Sequence, residues 1–178
     1  MYVDISFLFT RHRSEMLHPN WYDRDTNRNP ANRTILVLSN FNAEHGRYRK
    51  NALDVFQNIS TLKPLVSEET RFDDFGTYLD LLTRTKFVLS PPGFDQDCFR
   101  TYECMLMGTI PIVYSFPGLN WLFERSPTLM YTNWVRPARA EEILEFKPKT
   151  WSRKILIWHY WHDRIQCLKK DFGRKEQR

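Results

Sequence analysis

The residues best able to do chemistry gather in one stretch, LSPPGFDQDCFRTYECMLMGTIPIVY, residues 89–114. An apolar run from Lys86 to Ser90 breaks at Pro91-Pro92-Gly93, and a helix-like segment carrying Arg100 and Glu103 follows. A turn at the carboxyl end of a strand lets backbone N–H groups and the next helix N-terminus face a ligand, and such an end favours an anion. Within the helix, Phe99, Tyr102 and Leu106 repeat at core spacing, whereas Arg100 and Glu103 sit three apart on another stripe. A guanidinium can hold phosphate oxygens with two donors, and a carboxylate can accept from both hydroxyls of a ribose. The pair therefore suits a nucleoside diphosphate joined to a sugar. The same spacing also fits an ordinary surface ion pair, worth about 0.2–0.5 kcal/mol. Asp95-Gln96-Asp97 has the letters of a metal-binding Asp-x-Asp, but it stands at a helix entrance, where Asp97 suits an N-cap.

The elements that must position this stretch alternate. Tyr2 to Phe9 reads as a strand and Thr10 to Arg33 as a long polar loop. Ile35 to Leu38 is an apolar run of buried-strand type, ending at Ser39-Asn40. Ala52, Val55, Phe56 and Ile59 form one helical stripe over about Tyr48 to Ile59. Thr61 to Val66 is a short strand weakened by Pro64, and Phe75, Tyr78, Leu79 and Leu82 repeat the helical spacing before the strand Phe87-Val88-Leu89. A helix from Cys98 to Met107, a strand Ile110 to Tyr114, a helical turn near Trp121 and a strand near Thr128 to Thr132 follow. Trp151, Ile155, Trp158, His162 and Ile165 then mark an amphipathic helix over Trp151 to Lys170. Strands alternating with helices imply an α/β fold: a Rossmann-like parallel sheet flanked by helices, binding its ligand outside the carboxyl ends of the strands. The expected organisation is an N-terminal strand and loop over 1–33, the Rossmann-like domain over 34–170 and a basic tail over 171–178.

Composition narrows the function. A chain of 178 residues, 42% hydrophobic and 15% aromatic, can bury one core. The net charge of +5 sits partly in the tail, while Arg47, Arg49, Lys50 and Arg100 suit a small anion. Most aromatics lie at core spacing, which argues against a nucleic-acid surface. No apolar run approaches the roughly 18 residues of a membrane span, and Asp4 interrupts the first apolar run. Cys98, Cys104 and Cys167 form no paired ligand set, and His159 with His162 lacks a third ligand, so no metal is expected. The sequons at Asn32 and Asn58 are compatible with a secretory compartment. No Gly-x-Ser-x-Gly, P-loop or Gly-x-Gly-x-x-Gly occurs.

The run Lys86 to Pro91, then Gly93, Asp97, Arg100, Tyr102-Glu103, Gly108 and Ile110-Pro111-Ile112-Val113, resembles the C-terminal half of exostosin-like glycosyltransferases, and a ribitol xylosyltransferase is similar in this segment. The resemblance is densest over residues 75–115, and Gly46-Arg47-Tyr48-Arg49 resembles the family's basic loop after the first strand. It implies a GT-B enzyme whose C-terminal half binds a UDP-sugar, without metal or other cofactor, for transfer to a glycan or glycoprotein acceptor. It further implies Glu103 for the ribose, Arg100 with Arg47 or Arg49 for the diphosphate, and the Pro92-Gly93 loop close to the donor. The catalytic base stays unassigned. By the same resemblance the compartment is the lumen of the Golgi or endoplasmic reticulum, and the membrane is reached only through a segment outside these residues. The family's acceptor domain is not among them either, so donor binding without transfer is expected of this chain alone. The competing readings are a non-catalytic nucleotide-binding module and, with less support, a basic nucleic-acid binder.

Overall fold

The computed structural model describes residues 33–59, 62, 65–66, 75–93, 96, 98–132, 139–150 and 156. All but Leu156 belong to one compact unit, Arg24–Trp151. The elements run β1 (Ile35–Ser39), α1 (Arg47–Gln57), β2 (Leu65–Val66), α2 (Phe75–Thr83), β3 (Thr85–Ser90), α3 (Phe99–Leu106), β4 (Ile110–Tyr114), α4 (Pro117–Phe123), β5 (Leu129–Tyr131) and α5 (Ala140–Leu144). The strands form one sheet in the order β2-β1-β3-β4-β5, and every neighbouring pair is parallel. This is the Rossmann-like α/β fold that the alternation implies.

Both faces of the sheet are covered, which is why its central strands read as unbroken apolar runs. On one face Val37, Phe87, Leu89, Ile110 and Ile112 pack with Ala52 and Phe56 of α1 and Ile143 of α5. Leu38, Val88 and Val113, each one step along its strand, are buried on the other. The predicted stripe of α1 is confirmed: Ala52 and Phe56 are buried, and Val55 and Ile59 pack against the same cluster. Strand β2 is described over two residues, Leu65–Val66. Helix α5 was not anticipated, because five residues with one buried side chain, Ile143, carry no readable period. The strand expected at Tyr2–Phe9, the loop from Thr10 up to Asn32, the capping acids Asp95 and Asp97, His159 and His162, and most of the helix expected over Trp151–Lys170 lie outside the described residues.

The amino-terminal edge is tied together by Arg33. Its Nη1 donates to the carbonyls of Leu82 (3.2 Å) and Thr85 and to Thr109 Oγ1 (2.9 Å), and its Nη2 to the carbonyls of Met107 (3.3 Å) and Gly108 (2.9 Å). Gly108, at φ 69°, makes this possible. It turns the chain out of α3 so that its own N–H reaches Met105 O and that of Thr109 reaches Cys104 O, leaving the Gly108 carbonyl to Arg33. We expect Arg33→Ala to lower unfolding free energy by about 2–4 kcal/mol in a urea melt, because several carbonyls lose a charged donor at once.

Two buried groups and one half-buried group make the fold sensitive to alkali. Burial, with the charge of Glu103 behind it, raises both the Tyr78 phenol and the Cys104 thiol well above their ordinary values of 10.0 and 9.0. Burial and then Glu142 push Tyr131 up to about 12. Such groups lose protons more readily in the unfolded chain, so their contribution is complete below pH 9 and falls as pH rises above 9 and then 10. Tyr78 and Cys104 each contribute a slope of about 1.4 kcal/mol per pH unit once the unfolded form is ionised, and the half-buried Tyr131, screened by solvent, contributes less. Urea melts at pH 8, 9.5 and 10.5 should show this decline, and Tyr78→Phe should make it shallower.

Candidate functional site

The chain leaves β1 toward one edge of the sheet and, after returning to β3, moves toward the other. The crevice at that reversal opens at the carboxyl ends of β1 and β3, the place where open α/β sheets take ligands. Asn40 and Phe41 follow β1 there, and Pro91, Pro92 and Gly93 follow β3. The first turns of α1 and α3 enter from the same edge, because each helix begins just after its strand in a parallel sheet.

Two guanidiniums meet at this point. Arg100 Nε donates to Asn40 Oδ1 at 2.7 Å and its Nη2 to Asn40 O at 3.1 Å, while the guanidinium lies 5.5 Å from the Phe41 ring centroid. From the other side Arg49 Nε donates to Pro92 O at 3.3 Å. The described acceptors are all uncharged. Burial, and next the charge of Arg100, lowers the Arg49 pKa from its ordinary value. A guanidinium stays charged under such pressure, so two cations are held where they repel each other.

The helix ends add to this field. Gly46 before α1 and Cys98 before α3 provide no side-chain cap, and neither first turn carries an acid. Their positive ends are left to neighbours or to a ligand. Gly46 stands at φ 129°, which an L side chain rarely adopts, and a Cβ there would meet nothing within 4 Å. Backbone strain, not space, is what requires glycine. Beneath the crevice Ser90 Oγ lies 3.0 Å from Cys98 Sγ and 2.8 Å from Thr101 Oγ1, fastening the end of β3 to the start of α3. Ser39 Oγ, at the end of β1, is buried without a hydrogen-bond partner among the described residues.

The structure thus brings Arg49, Arg100 and Pro92 together, with Gly93 next in the chain. Arg47 is exposed at the start of α1. Glu103 is not displayed beside Arg100: it is 5% exposed, and its Oε2 accepts from Tyr78 Oη at 3.0 Å. The expected division of α3 into faces is corrected in the same way. Phe99 is 39% exposed, whereas Thr101 to Met105 are all buried, because α3 is covered on more than one side and Tyr78 arrives from α2 to meet Glu103. Asn40, Phe41 and Ser90 were not foreseen as site residues. The available signal was the polar ending of two apolar strands, Ser39-Asn40 and Ser90. Among the described residues no three His, Cys, Asp or Glu side chains group as a metal site, and no helix is long and apolar enough to cross a membrane.

Comparison with known proteins gives two similarities. Residues 49–118 match the family described as the RXYLT1 C-terminal domain, a span that contains Arg49, Pro92, Gly93, Arg100 and Glu103. Ribitol-5-phosphate xylosyltransferase 1 from Mus musculus is 25% identical over 122 residues, covering 58% of this chain and 27% of that protein. The chain therefore spans about a quarter of the length of this relative. From the first turn of α1 to the start of α4, its sequence is similar to the C-terminal domain of a glycosyltransferase.

Proposed function

We propose that the unit binds a nucleoside diphosphate sugar, a UDP-sugar, in the crevice between β1 and β3, and supplies the donor half of a GT-B glycosyltransferase acting on a glycan or glycoprotein in the Golgi or endoplasmic reticulum lumen. One observation carries the reading: Arg49 and Arg100 converge at the reversal of strand order with uncharged acceptors, beside two helix N-termini that lack acids. A diphosphate would relieve the repulsion between the guanidiniums and accept from both. The Pro92-Gly93 turn would lie against it, with Arg47 at the rim. Similarity to a xylosyltransferase supports the sugar-nucleotide class over other anions. Transfer also needs an acceptor held in line and a base for its proton, and no described residue is assigned to either task.

Calorimetry and thermal melts with UDP test the reading. At about 100 times its dissociation constant UDP should stabilise the protein by about 2.7 kcal/mol. Arg49→Ala or Arg100→Ala should weaken binding by tenfold or more, the loss of a charged hydrogen bond worth about 1.5–3 kcal/mol. Millimolar UDP giving neither heat nor a shift in melting temperature would defeat the assignment. Steep weakening with salt, spread over many surface lysines, would favour a nucleic-acid surface instead.

Glu103 needs its own test, since a ribose role would have to exchange the bond to Tyr78 for ribose hydroxyls. The packing favours support of α3 through Tyr78. We expect Glu103→Gln to reduce stability by about 1–2 kcal/mol and to leave UDP affinity within twofold. A tenfold fall in affinity at unchanged stability would assign the carboxylate to the ribose.

A further inference from the structure

Tyr48 is 52% exposed although it opens the helix that packs on the sheet. Its ring is held in place: its centroid lies 5.7 Å from that of Tyr114, with the planes at 49°. The topology sets this pair at the edge of the crevice. Tyr48 immediately precedes Arg49, whose Nε bonds Pro92 O. Tyr114 ends β4, one step beyond the Val113–Ser90 pairing, and so lies level with Pro91 on the neighbouring strand, about 4.8 Å away in the sheet. An exposed ring, Tyr48, backed by the partly buried ring of Tyr114, thus borders a cation pair along the same carboxyl edge.

A nucleotide has the matching division, an anionic diphosphate tethered through a ribose to a flat uncharged ring. Resting on the anion site argued above, we propose that Tyr48 and Tyr114 form the platform on which the nucleobase stacks. Two features favour a base over an unattached sugar or a protein side chain. The base is covalently tied to the diphosphate that the arginines hold, so its local concentration beside them is high. The platform is also a ring already braced by a second ring, so stacking on it orders little that is loose. Stacking of one base on an aromatic side chain contributes about 1–3 kcal/mol, which corresponds to roughly 5- to 150-fold in affinity.

The experiment compares UDP with inorganic pyrophosphate by calorimetry, on the natural chain and on Tyr48→Ala and Tyr48→Trp. The expected result is that the natural chain binds UDP more tightly than pyrophosphate. Tyr48→Ala should lose at least fivefold in UDP affinity with pyrophosphate unchanged, and Tyr48→Trp should keep the preference. Equal loss for both ligands in Tyr48→Ala would make the residue a support for α1 and overturn the platform. So would a natural chain that does not discriminate, or a Tyr48→Ala that discriminates as before; in both cases the anion site stands. If neither ligand binds, the anion site falls and takes the platform with it.

Discussion

The arrangement depends first on tying together the amino-terminal edge of a parallel sheet. A single guanidinium, Arg33, does most of this among the described residues, gathering four carbonyls and one hydroxyl from the segments that lead into β3 and β4. Main-chain oxygens at such junctions have no strand partner, and an unsatisfied buried carbonyl costs about 1–3 kcal/mol. Gathering them on one charged fork fixes the relative height of α2, α3 and the two strands. Because β3 and β4 run in the same direction, fixing their amino ends also fixes where Ser90 and Tyr114 end at the far edge.

The carboxyl edge uses the same side-chain type in a different way. Arg100 is braced by Asn40 and the Phe41 ring, so that its charge stands at the crevice instead of being matched by a described carboxylate. Arg49 approaches from the first turn of α1 and is braced only by a proline carbonyl. Proline contributes to this selection: Pro92 lacks an N–H and cannot extend the ladder of β3, and its carbonyl accepts from the guanidinium. The contrast between Arg33 and the Arg49–Arg100 pair separates a structural cation from candidate ligand cations more clearly than exposure would, since all three are only partly buried.

Much of the fold was legible because its signals are local. Ile35 to Leu38 and Ile110 to Tyr114 are unbroken apolar runs, and Ala52, Val55, Phe56 and Ile59 keep one helical period, so β1, β4 and α1 emerge within a residue or two of their positions. The Pro-Pro-Gly turn likewise marked the end of β3. What failed was a reading of α3 as having one buried face. Periodicity identifies residues that cannot face water, but it does not reveal a polar side chain whose partner comes from a different helix, as Tyr78 does for Glu103. Asn40 escaped for a related reason: its role depends on Arg100, 60 residues away in sequence. Arg47 and Arg49 could both be named from their basic loop, but that Arg49 approaches Pro92 O while Arg47 is exposed required the start of α1, since two residues on a helix point about 200° apart.

On the proposed reading the crevice should be the least comfortable part of the unit when empty. It combines an arginine whose proton affinity is lowered by burial and by a like charge, a glycine at φ 129°, and a serine hydroxyl buried without a described partner. The repelled arginine and the unpartnered hydroxyl are unfavourable by themselves, the glycine backbone is one that no other residue adopts easily, and none of the three contributes to the core formed by Val37, Phe56, Phe87 and Ile112. Strain and unmatched charge that collect at one edge of an otherwise well-packed sheet persist when the surrounding structure enforces them, and they commonly mark a place organised for a ligand. Here the enforcement can be named. Arg33 sets the strand ends, the Ser90–Thr101 contact sets the start of α3, and Asn40 aims Arg100, so one of the two cations is fixed to the sheet while, among the described residues, Arg49 is held beside it only through Pro92 O. An anion that satisfied both would gain from a field already assembled, with little reorganisation of protein dipoles to oppose it.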